Sequence, residues 1–426
     1  CEFLTAHDVE VWPLEVAEAQ YLPHLADIPS HSDIRGRAEG GLRVVLRTTH
    51  GVSASSLDVD RLDFHFSAPD DVAYRLFDLC VGHCHQIVMC DPACRDRHVM
   101  VAGAEKLEPL GFRDEESLLP FSARSFGGYR LLMEYFICPW RYLFVRLNGL
   151  RDFLRGLSGD VFEINILFSQ SDPGLADADK SSDLALFCTP VVNLFPRRFD
   201  RIGVSPELSE FHVVVDRQRP SDYEVFDISE VEGYDHDQRE LHSFRPFYQT
   251  HQQAAGAGNA AYFSFHREAR LLSSIERKNG VRTGYAGSEV YLSLVDRDFS
   301  PYPVSLAQLG GSAWVTNRDL PMVMPLGRAS DFTLLDSVPI GSIRCLRGPT
   351  KPIAALTGGA INWRLISHLS INFLALDDLE DGGAVVALRE LLNLYAERGD
   401  GAYRGQVDSL QGVSMKQIVR RLPHEG

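Results

Sequence analysis

Cysteine and histidine are concentrated between positions 80 and 98, and there the sequence first suggests metal chemistry. Thiolates and imidazoles are the usual ligands of structural zinc sites, which take four of them. The spacing is not that of a zinc ribbon, because three residues separate Cys80 from Cys84 and Cys90 from Cys94. Cys80 and Cys84 would also share the apolar face of one predicted helix. The pattern favours buried core cysteines, with zinc as the alternative. The group contains Cys80, His83, Cys84, His85, Cys90, Cys94 and His98.

A second group of possible ligands or general bases contains His236, His242 and His251, with Asp235 and Asp237 beside the first. Three histidines near carboxylates could hold a metal ion or transfer a proton. They are unevenly spaced, and we predict no helix or strand around them that would keep them in register. A solvated polar loop is the favoured interpretation.

The other candidate titratable residues lie outside these two groups. His212 and Asp216 would point to opposite ends of a strand, so structural pairing with Arg217 or Arg219 is favoured over catalysis. Glu289 lies in an alternating strand, and the sequence places no partner acid or base beside it. The GxxxxGK[ST], GxGxxG, GxSxG and HExxH motifs do not occur in the sequence. No enzyme is predicted.

The elements that must position these residues are mostly strands, because apolar residues alternate with period two. Predicted strands cover residues 8–11, 42–46, 62–66, 142–145, 162–168, 213–215, 223–228, 262–265 and 290–295, and strand-rich sequence continues to about residue 345. Predicted helices begin after Pro69 and cover residues 129–138, 361–374 and 384–396. In the last of these, the residues at helical spacing are Val385, Leu388, Leu392 and Tyr395.

The apolar segment at positions 187–198 contains two prolines six residues apart. Each proline fixes φ, lacks an amide hydrogen and disfavours a helix before it, so an extended segment is predicted. We expect Val191, Leu194 and Phe195 to be buried. Asn193 should be hydrogen-bonded, because an unpaired buried amide costs about 1–3 kcal/mol. The segment is predicted to be structural.

Composition sets broader limits. The 426 residues are 45% hydrophobic and 23% charged, which is typical of a globular protein with two or three domains. A net charge of −16 argues against non-specific binding to nucleic acid or anionic lipid, which favour basic surfaces. We find no apolar run of about 20 residues that could span a bilayer. Eight cysteines, several in apolar segments, fit a reducing cytoplasm better than a disulfide scaffold.

The predicted fold class is α+β: several β-rich, sandwich-like or barrel-like domains with attached helices. We place the domains at residues 1–175, 176–345 and 346–426. The first boundary lies within the solvated segment at 169–182, and the second precedes the change from strand to helix periodicity.

Five blocks of the sequence resemble the TssF family (also called ImpG or VasA), a baseplate subunit of the bacterial type VI secretion system. The blocks are positions 187–198, 211–225, 287–296, 316–321 and 363–370. The resemblance implies a helical stretch before the segment at 5–14. It also implies likeness to the wedge proteins of contractile-phage baseplates. The matched residues, implied to be structural, are Cys188, Thr189, Pro190, Asn193, Leu194, Phe195, Pro196, His212, Asp216, Arg217, Tyr223, Glu289, Asn317, Arg318, Asp319, Pro321, Trp363, Arg364 and His368.

The resemblance implies a structural role in a hetero-oligomeric wedge with TssG and TssK. Wedges with several TssF copies would surround the spike hub (VgrG) and join the contractile sheath through TssE. The implied location is the bacterial cytoplasm, docked at the inner-membrane secretion complex. No cofactor, nucleic acid or direct membrane insertion is implied.

Two other functions compete with this one. A metal-dependent enzyme or zinc-binding module could be built on the cluster from Cys80 to His98, and stoichiometric zinc in the purified protein would favour it. A β-sandwich module that binds glycans is suggested only by the strand content, and a fold alone does not fix a function.

Overall fold

The computed structural model describes residues 1–25, 38–92, 99–120, 127–157, 159–175, 183–247, 261–272, 274–279, 282–296, 305–354, 363, 383–396 and 402–413. Its contacts divide the chain into two compact units. The described residues of the first unit lie within Thr5–Val191, and those of the second lie within Val192–Arg420 together with Cys1–Leu4. The three-domain division at residues 175 and 345 stays a prediction.

Strands dominate both units. In chain order they are β1 (Leu4–Thr5), β2 (Leu14–Leu22), β3 (Gly40–Thr48), β4 (Arg61–Phe66), β5 (Cys84–Cys90), β6 (Val99–Gly103), β7 (Leu107–Pro109), β8 (Phe144–Asn148), β9 (Val161–Phe168), β10 (Leu184–Leu186), β11 (Val191–Val192), β12 (Phe195–Gly203), β13 (Phe211–His212), β14 (Glu224–Tyr234), β15 (Glu240–Pro246), β16 (Ala261–Ala269), β17 (Ser288–Asp296) and β18 (Gln308–Thr316). The helices are α1 (Asp70–Gly82), α2 (Gly127–Ile137), α3 (Arg151–Arg155), α4 (Ser274–Asn279), α5 (Gly383–Ala396) and α6 (Ala402–Asp408).

The first unit contains a five-stranded sheet in the order β2-β3-β9-β5-β6 and a four-stranded sheet in the order β10-β4-β8-β7. In the five-stranded sheet the central strand β9 is almost wholly buried, which explains its near-continuous apolar sequence. One core cluster includes Leu46 and Ile164 from the five-stranded sheet and Phe64 and Leu147 from the four-stranded sheet. The two sheets of this unit therefore share one hydrophobic core.

Helix α1 begins where the sequence predicts. Pro69 precedes its first turn, which carries Asp70 and Asp71 near the positive end of the helix dipole. Leu76 and Cys80 are buried on the face that enters the core. The helix anchors its unit through this apolar face.

The second unit is built on a seven-stranded sheet in the order β12-β18-β14-β15-β16-β17-β13. The Asp200 amide of β12 donates 3.0 Å to the Val214 carbonyl, just beyond β13, so the sheet nearly closes on itself. Phe199, Phe263 and Leu292 are among the buried residues inside. The result is a barrel-like domain, and the predicted α+β, β-rich class is confirmed.

Gly311 permits the close pairing of β14 and β18. A β-carbon at this position would lie 2.0 Å from the Glu230 carbonyl oxygen, closer than any real contact. The pairing shifts register between Ile228 and Glu230, as at a β-bulge. Only glycine leaves room for the backbone there.

Several predicted elements are wrong in detail. Residues 8–11 form no strand, and the first long strand starts only at Leu14. Residues 213–215 follow the short β13 instead of forming a strand, and residues 142–143 precede β8. No strand follows β18 among residues 317–345, where strand-rich sequence was expected. Alternation of apolar and polar residues in the sequence does not show which of those residues pair with a neighbouring strand.

The C-terminal helix is found close to its predicted bounds, as α5, but its most buried residues are Ala384, Leu391 and Ala396 rather than the predicted set. Of the predicted helix at 361–374, only Trp363 is described. Among the described residues, no helix is both long and apolar enough to cross a membrane.

Candidate functional site

The family-like residues Asn193 and Asn317 meet in the second unit, because β12 pairs with β18 and brings their ends together. The Asn193 side-chain nitrogen donates 2.7 Å to the Glu2 carbonyl and 3.0 Å to the Asn317 side-chain oxygen. The Asn317 amide donates 2.6 Å to the Asn193 side-chain oxygen. The expected hydrogen bonding of Asn193 is confirmed, and its role is to join three chain segments.

The next residue, Arg318, is 9% exposed and has a positive φ of 58°, which is uncommon for a residue other than glycine. Its guanidinium donates to three backbone carbonyls: Ser221 at 3.2 Å, Tyr285 at 3.0 Å and Ala286 at 2.8 Å. A β-carbon at Gly287 would lie 2.9 Å from Arg318 Nε. Arg318 thus fixes the backbone of two loops, and Gly287 makes room for it.

Asp319 completes this turn and is 1% exposed. Thr283 Oγ1 donates to it at 2.8 Å and Arg282 Nη2 at 3.0 Å. Arg282 also donates 3.2 Å to Asp222. Burial opposes the negative charge, but the hydrogen bonds from Thr283 and Arg282 hold the pKa of Asp319 below its ordinary value. The carboxylate stays ionised as a structural anchor.

Glu224, the first residue of β14, anchors the loop that leads into β17. It accepts from the Tyr285 hydroxyl at 3.0 Å, from the Ser288 amide at 2.9 Å and from the Ser288 hydroxyl. Burial first, and then the Glu224 charge, raise the pKa of Tyr285 above its ordinary value. We call Asn193, Glu224, Arg282, Asn317, Arg318 and Asp319 the loop clamp.

A cavity of about 90 Å³ lies beside the loop clamp, lined by residues that include Tyr223, Glu224, Arg270 and Arg318. Ligand pockets for small molecules are several times larger, at about 300–1,000 Å³. The clamp's carboxylates and guanidinium groups are hydrogen-bonded to its own loops. The arrangement can hold backbone in place, but it presents no nucleophile next to a general base.

The remaining residues of the first family-like block differ in burial. Leu194 and Phe195 are buried, as predicted, whereas Val191 is 41% exposed, contrary to prediction. Val191 lies in the two-residue strand β11, outside the barrel core that contains Phe195. Pro196 lies on β12, and Pro321 is the buried residue of the short 3-10 turn Leu320–Val323 that follows the clamp.

In the first unit, Thr189 Oγ1 accepts from the His7 amide at 2.9 Å, and the Pro190 carbonyl accepts from the Ala6 amide at 3.0 Å. Cys188 is half-buried, and burial raises the pKa of its thiol to about 11. Thr189 and Pro190 therefore fix the backbone at residues 6–7.

His212 and Glu289 lie on the barrel surface. The His212 ring stacks on Tyr291 with centroids 5.0 Å apart. Glu289 accepts a hydrogen bond from the Tyr291 hydroxyl at 3.3 Å and lies 3.7 Å from Arg270 Nε. Arg197 packs over the Tyr223 ring at 4.5 Å. His212 and Glu289 thus both contact the Tyr291 side chain, and the charged partner of Glu289 is Arg270.

Asp216 was predicted to pair with Arg217 or Arg219. Its carboxylate instead accepts from the backbone amides of Gln218 at 2.8 Å and Arg219 at 3.2 Å, as in an Asx turn. The Arg217 guanidinium donates 2.6 Å to the Arg201 carbonyl. Trp363 is 71% exposed, and Arg364 and His368 lie outside the described residues.

The cysteine and histidine cluster is spread over different elements. Cys80 is on α1, whereas Cys84 opens β5, so the predicted common helix face is wrong. Cys84 and Cys90 stand at opposite ends of that strand, about 20 Å apart at 3.3 Å per residue. Burial raises the pKa of Cys84 to about 11, which disfavours the thiolate that a metal needs. Cys94 and His98 lie outside the described residues.

The described residues of the second histidine group also lie on different elements. Asp235 accepts 2.8 Å from the Arg239 amide in the turn between β14 and β15, and His236 and Asp237 are exposed there. His242 lies on β15, although no strand was expected around it, and His251 lies outside the described residues. Within the described residues, no group of three or more His, Cys, Asp or Glu is close enough to hold a metal ion.

Sequence reasoning did not single out Glu224, Arg282 or Gly287. Glu224 lies inside a family-like block but looks like any polar strand residue. Arg282 precedes a short segment with two glycines, a pattern that indicates only a loop. Their partnership depends on contacts more than 30 positions away, for which the sequence carries no local signal.

Comparisons with known proteins agree with the resemblance. A family model described as "Type VI secretion system, TssF" matches residues 1–426. The type VI secretion system component TssF1 of Pseudomonas aeruginosa is 43% identical over 428 residues, covering 100% of this chain and 68% of the relative. A chain in a cryo-electron microscopy structure of a TssK-TssF-TssG baseplate subcomplex has a similar fold, with a TM-score of 0.68 and 23% identity. That match covers 99% of this chain and 72% of the other.

Proposed function

Because the chain belongs to the TssF family of the type VI secretion system, we propose that it is a structural subunit of the secretion baseplate. It assembles with TssG and TssK subunits into a wedge and catalyses no reaction. The observation that carries the proposal is the match of the family model to all 426 residues. The 43% identity to TssF1 supports it.

The character of the loop clamp supports a non-catalytic role. Arg318 and Asp319, which are charged and buried in a family-like block, direct their hydrogen bonds to the protein's own loops. Such residues hold surface loops in a fixed shape, which a subunit needs when its neighbours must dock in register.

Further partners follow from the family alone. We include TssE, additional TssF copies and the VgrG spike hub, and we place the protein in the bacterial cytoplasm, docked at the inner-membrane secretion complex. The net charge of −16 supports basic protein partners rather than nucleic acid.

Co-purification tests the proposal. The full-length protein, co-expressed with TssG and TssK of the same secretion system, should elute with them in one complex on size exclusion. A monomer that binds neither subunit would contradict the proposal. Elemental analysis of the same sample tests the competing function, because stoichiometric zinc that is needed for folding would favour the metal-dependent module.

A further inference from the structure

Residues 6–13 precede β2 in the first unit and form neither helix nor strand, and we call them the strap. At its start the Ala6 amide donates 3.0 Å to the Pro190 carbonyl, and the His7 amide donates 2.9 Å to Thr189 Oγ1. Thr189 Oγ1 also lies 3.4 Å from the His7 carbonyl oxygen. These contacts hold the first two residues of the strap against the unit.

The rest of the strap is held at fewer points. Residues 8–11 are exposed. The Glu10 carboxylate accepts 2.7 Å from Arg61, but the two side chains are 54% and 44% exposed, and exposed ion pairs contribute little stability. At the far end, the Pro13 carbonyl accepts 2.8 Å from the Thr49 amide. The strap is therefore fixed at its two ends and loose between them.

Two buried rings anchor those ends, and both leave polar atoms without partners. His7 is 5% exposed with its ring edge on Phe144 at 5.0 Å, and neither ring nitrogen has a hydrogen-bond partner among the described residues. Trp12 packs against the core of the unit, and its buried Nε1 also lacks an acceptor there. A buried donor without an acceptor loses its hydration and gains no bond in return. The unpaired nitrogens therefore offset part of the stability gained by burying the rings.

The surroundings of His7 exclude a proton from its ring. Burial lowers the pKa of His7 from 6.5 to about 4, and it outweighs the charges that lie on four neighbouring segments. Those charges are Glu116 and Asp63, which raise the pKa, and Arg141 and Arg146, which lower it. The buried His65 ring stacks on the same Phe144, with its Nδ1 3.1 Å from the Leu143 carbonyl oxygen. His7 therefore takes up a proton readily only after its ring has left this site.

We propose that the strap opens locally, with His7 leaving its site while the two sheets of the first unit stay folded, and that proton binding to the released ring favours the open state. Segments with few buried contacts open at a lower free energy than the core does. Opening uncovers the Phe144 ring, which is 3% exposed when the strap is closed. The strap is thus an acid-sensitive lid, and this inference is independent of the proposed role in the baseplate.

Hydrogen exchange of the full-length protein, followed by mass spectrometry of peptides, tests the local opening. Peptides that contain the Ala6 and His7 amides should exchange at least about a hundredfold faster than those that contain Ile164, which is 0% exposed in the central strand β9. Urea below the unfolding transition should accelerate exchange at Ile164 but not in the strap, because a local opening exposes little surface.

The pH dependence tests the role of His7. From pH 7 to pH 5, after correction for the intrinsic pH dependence of exchange, the opening constant of the strap should rise about twentyfold. His7→Phe keeps an aromatic ring against Phe144 but has no ring nitrogen, so it should open less at pH 7 and lose the twentyfold rise. His85→Gln is the matched control, because His85 is exposed on β5 of the same unit. It should behave as the wild type does.

Three results would overturn the proposal. Strap amides that match Ile164 in both rate and urea dependence would show that the strap opens only when the whole unit unfolds. An unchanged rise in His7→Phe would remove His7 from the mechanism, and so would the loss of the rise in His85→Gln. If His7→Phe fails to fold, His7→Leu gives the same comparison.

Discussion

At the scale of single residues, Asn193 and Phe195 have different roles in one segment: the first is hydrogen-bonded, and the second is buried. The Asn193 side-chain nitrogen donates hydrogen bonds to the Glu2 carbonyl and to the Asn317 side-chain oxygen. Two positions later, Phe195 is part of the barrel core. Asn193 lies in the bend before β12, and Phe195 is the first residue of that strand, so the two side chains are free to take different directions. Such residues are needed for the fold, and a substitution should be read first as a change in stability.

Phe195→Ala should lower the free energy of unfolding by about 3–5 kcal/mol, as large-to-small changes in cores do. Phe195 is 3% exposed and lies opposite Val315 in the β12–β18 pair. Urea unfolding followed by circular dichroism measures the change. Val191→Ala is the control, because Val191 is 41% exposed and should cost under about 0.5 kcal/mol. Equal stability with lost TssG binding would place Phe195 in an interface instead.

His7 should make the stability of the protein depend on pH. The residue is 5% exposed, its ring meets the edge of Phe144 at 5.0 Å, and neither ring nitrogen has a partner among the described residues. Burial lowers the pKa of His7 from 6.5 to about 4 and outweighs the negative charge of Glu116, which raises it, while the positive charge of Arg141 adds to the lowering. The unfolded chain therefore binds a proton between these values that the folded protein excludes.

This stability is fully present above pH 6.5 and is lost as the pH falls towards 4. From pH 7 to pH 5 the contribution of His7 should decrease by about 2 kcal/mol. Urea unfolding of the wild type and of His7→Phe at both pH values measures it, since the variant lacks the titrating ring. A pH dependence that is identical in the two proteins would show that His7 does not titrate in this way.

At the scale of elements, the first unit contains a buried ion network that ties a loop to α2. Glu134 is 2% exposed and accepts from the Leu118 and Leu119 amides at 3.0 Å each. Its carboxylate also accepts from Arg141, which is 1% exposed. One carboxylate thus compensates a buried guanidinium and two backbone amides.

Glu134→Gln should destabilise the protein by about 3–5 kcal/mol, because it leaves the Arg141 charge buried without its counter-ion. Thermal and urea unfolding would measure the loss, and proteolysis within residues 111–119 should become faster. Glu115→Gln, at an exposed position in the same loop, removes an equal charge and should be nearly neutral. Similar effects of the two changes would exclude a special role for the buried pair.

The sequence predicts elements well where a local pattern decides them. The acids after Pro69 mark the start of α1, and α2 ends at Ile137, one residue before the predicted end at residue 138. Prediction from the sequence fails where the structure depends on contacts with residues far away along the chain. Residues 8–11 alternate like a strand yet remain unpaired with any sheet, and the loop clamp depends on Arg282, Asp222 and Asp319 meeting from three separate segments.

At the scale of the whole molecule, an acidic chain with a net charge of −16 is folded into two compact units. Under the proposed assembly role, substitutions at exposed positions should act on binding, whereas those at buried positions should act through folding.

The C-terminal helix α5 tests this distinction. Ala384, Leu391 and Ala396 are buried at 5%, 3% and 2% exposure, so one face of α5 is covered within the chain itself. Leu391→Asp would bury a charge and should cause aggregation or loss of soluble protein. Val386→Asp changes a residue that is 53% exposed on the same helix, and it should leave folding and TssG binding intact. Soluble yield, size exclusion and co-purification with TssG measure both variants. A soluble, monomeric Leu391→Asp protein that no longer joins TssG would instead make α5 an interface between subunits.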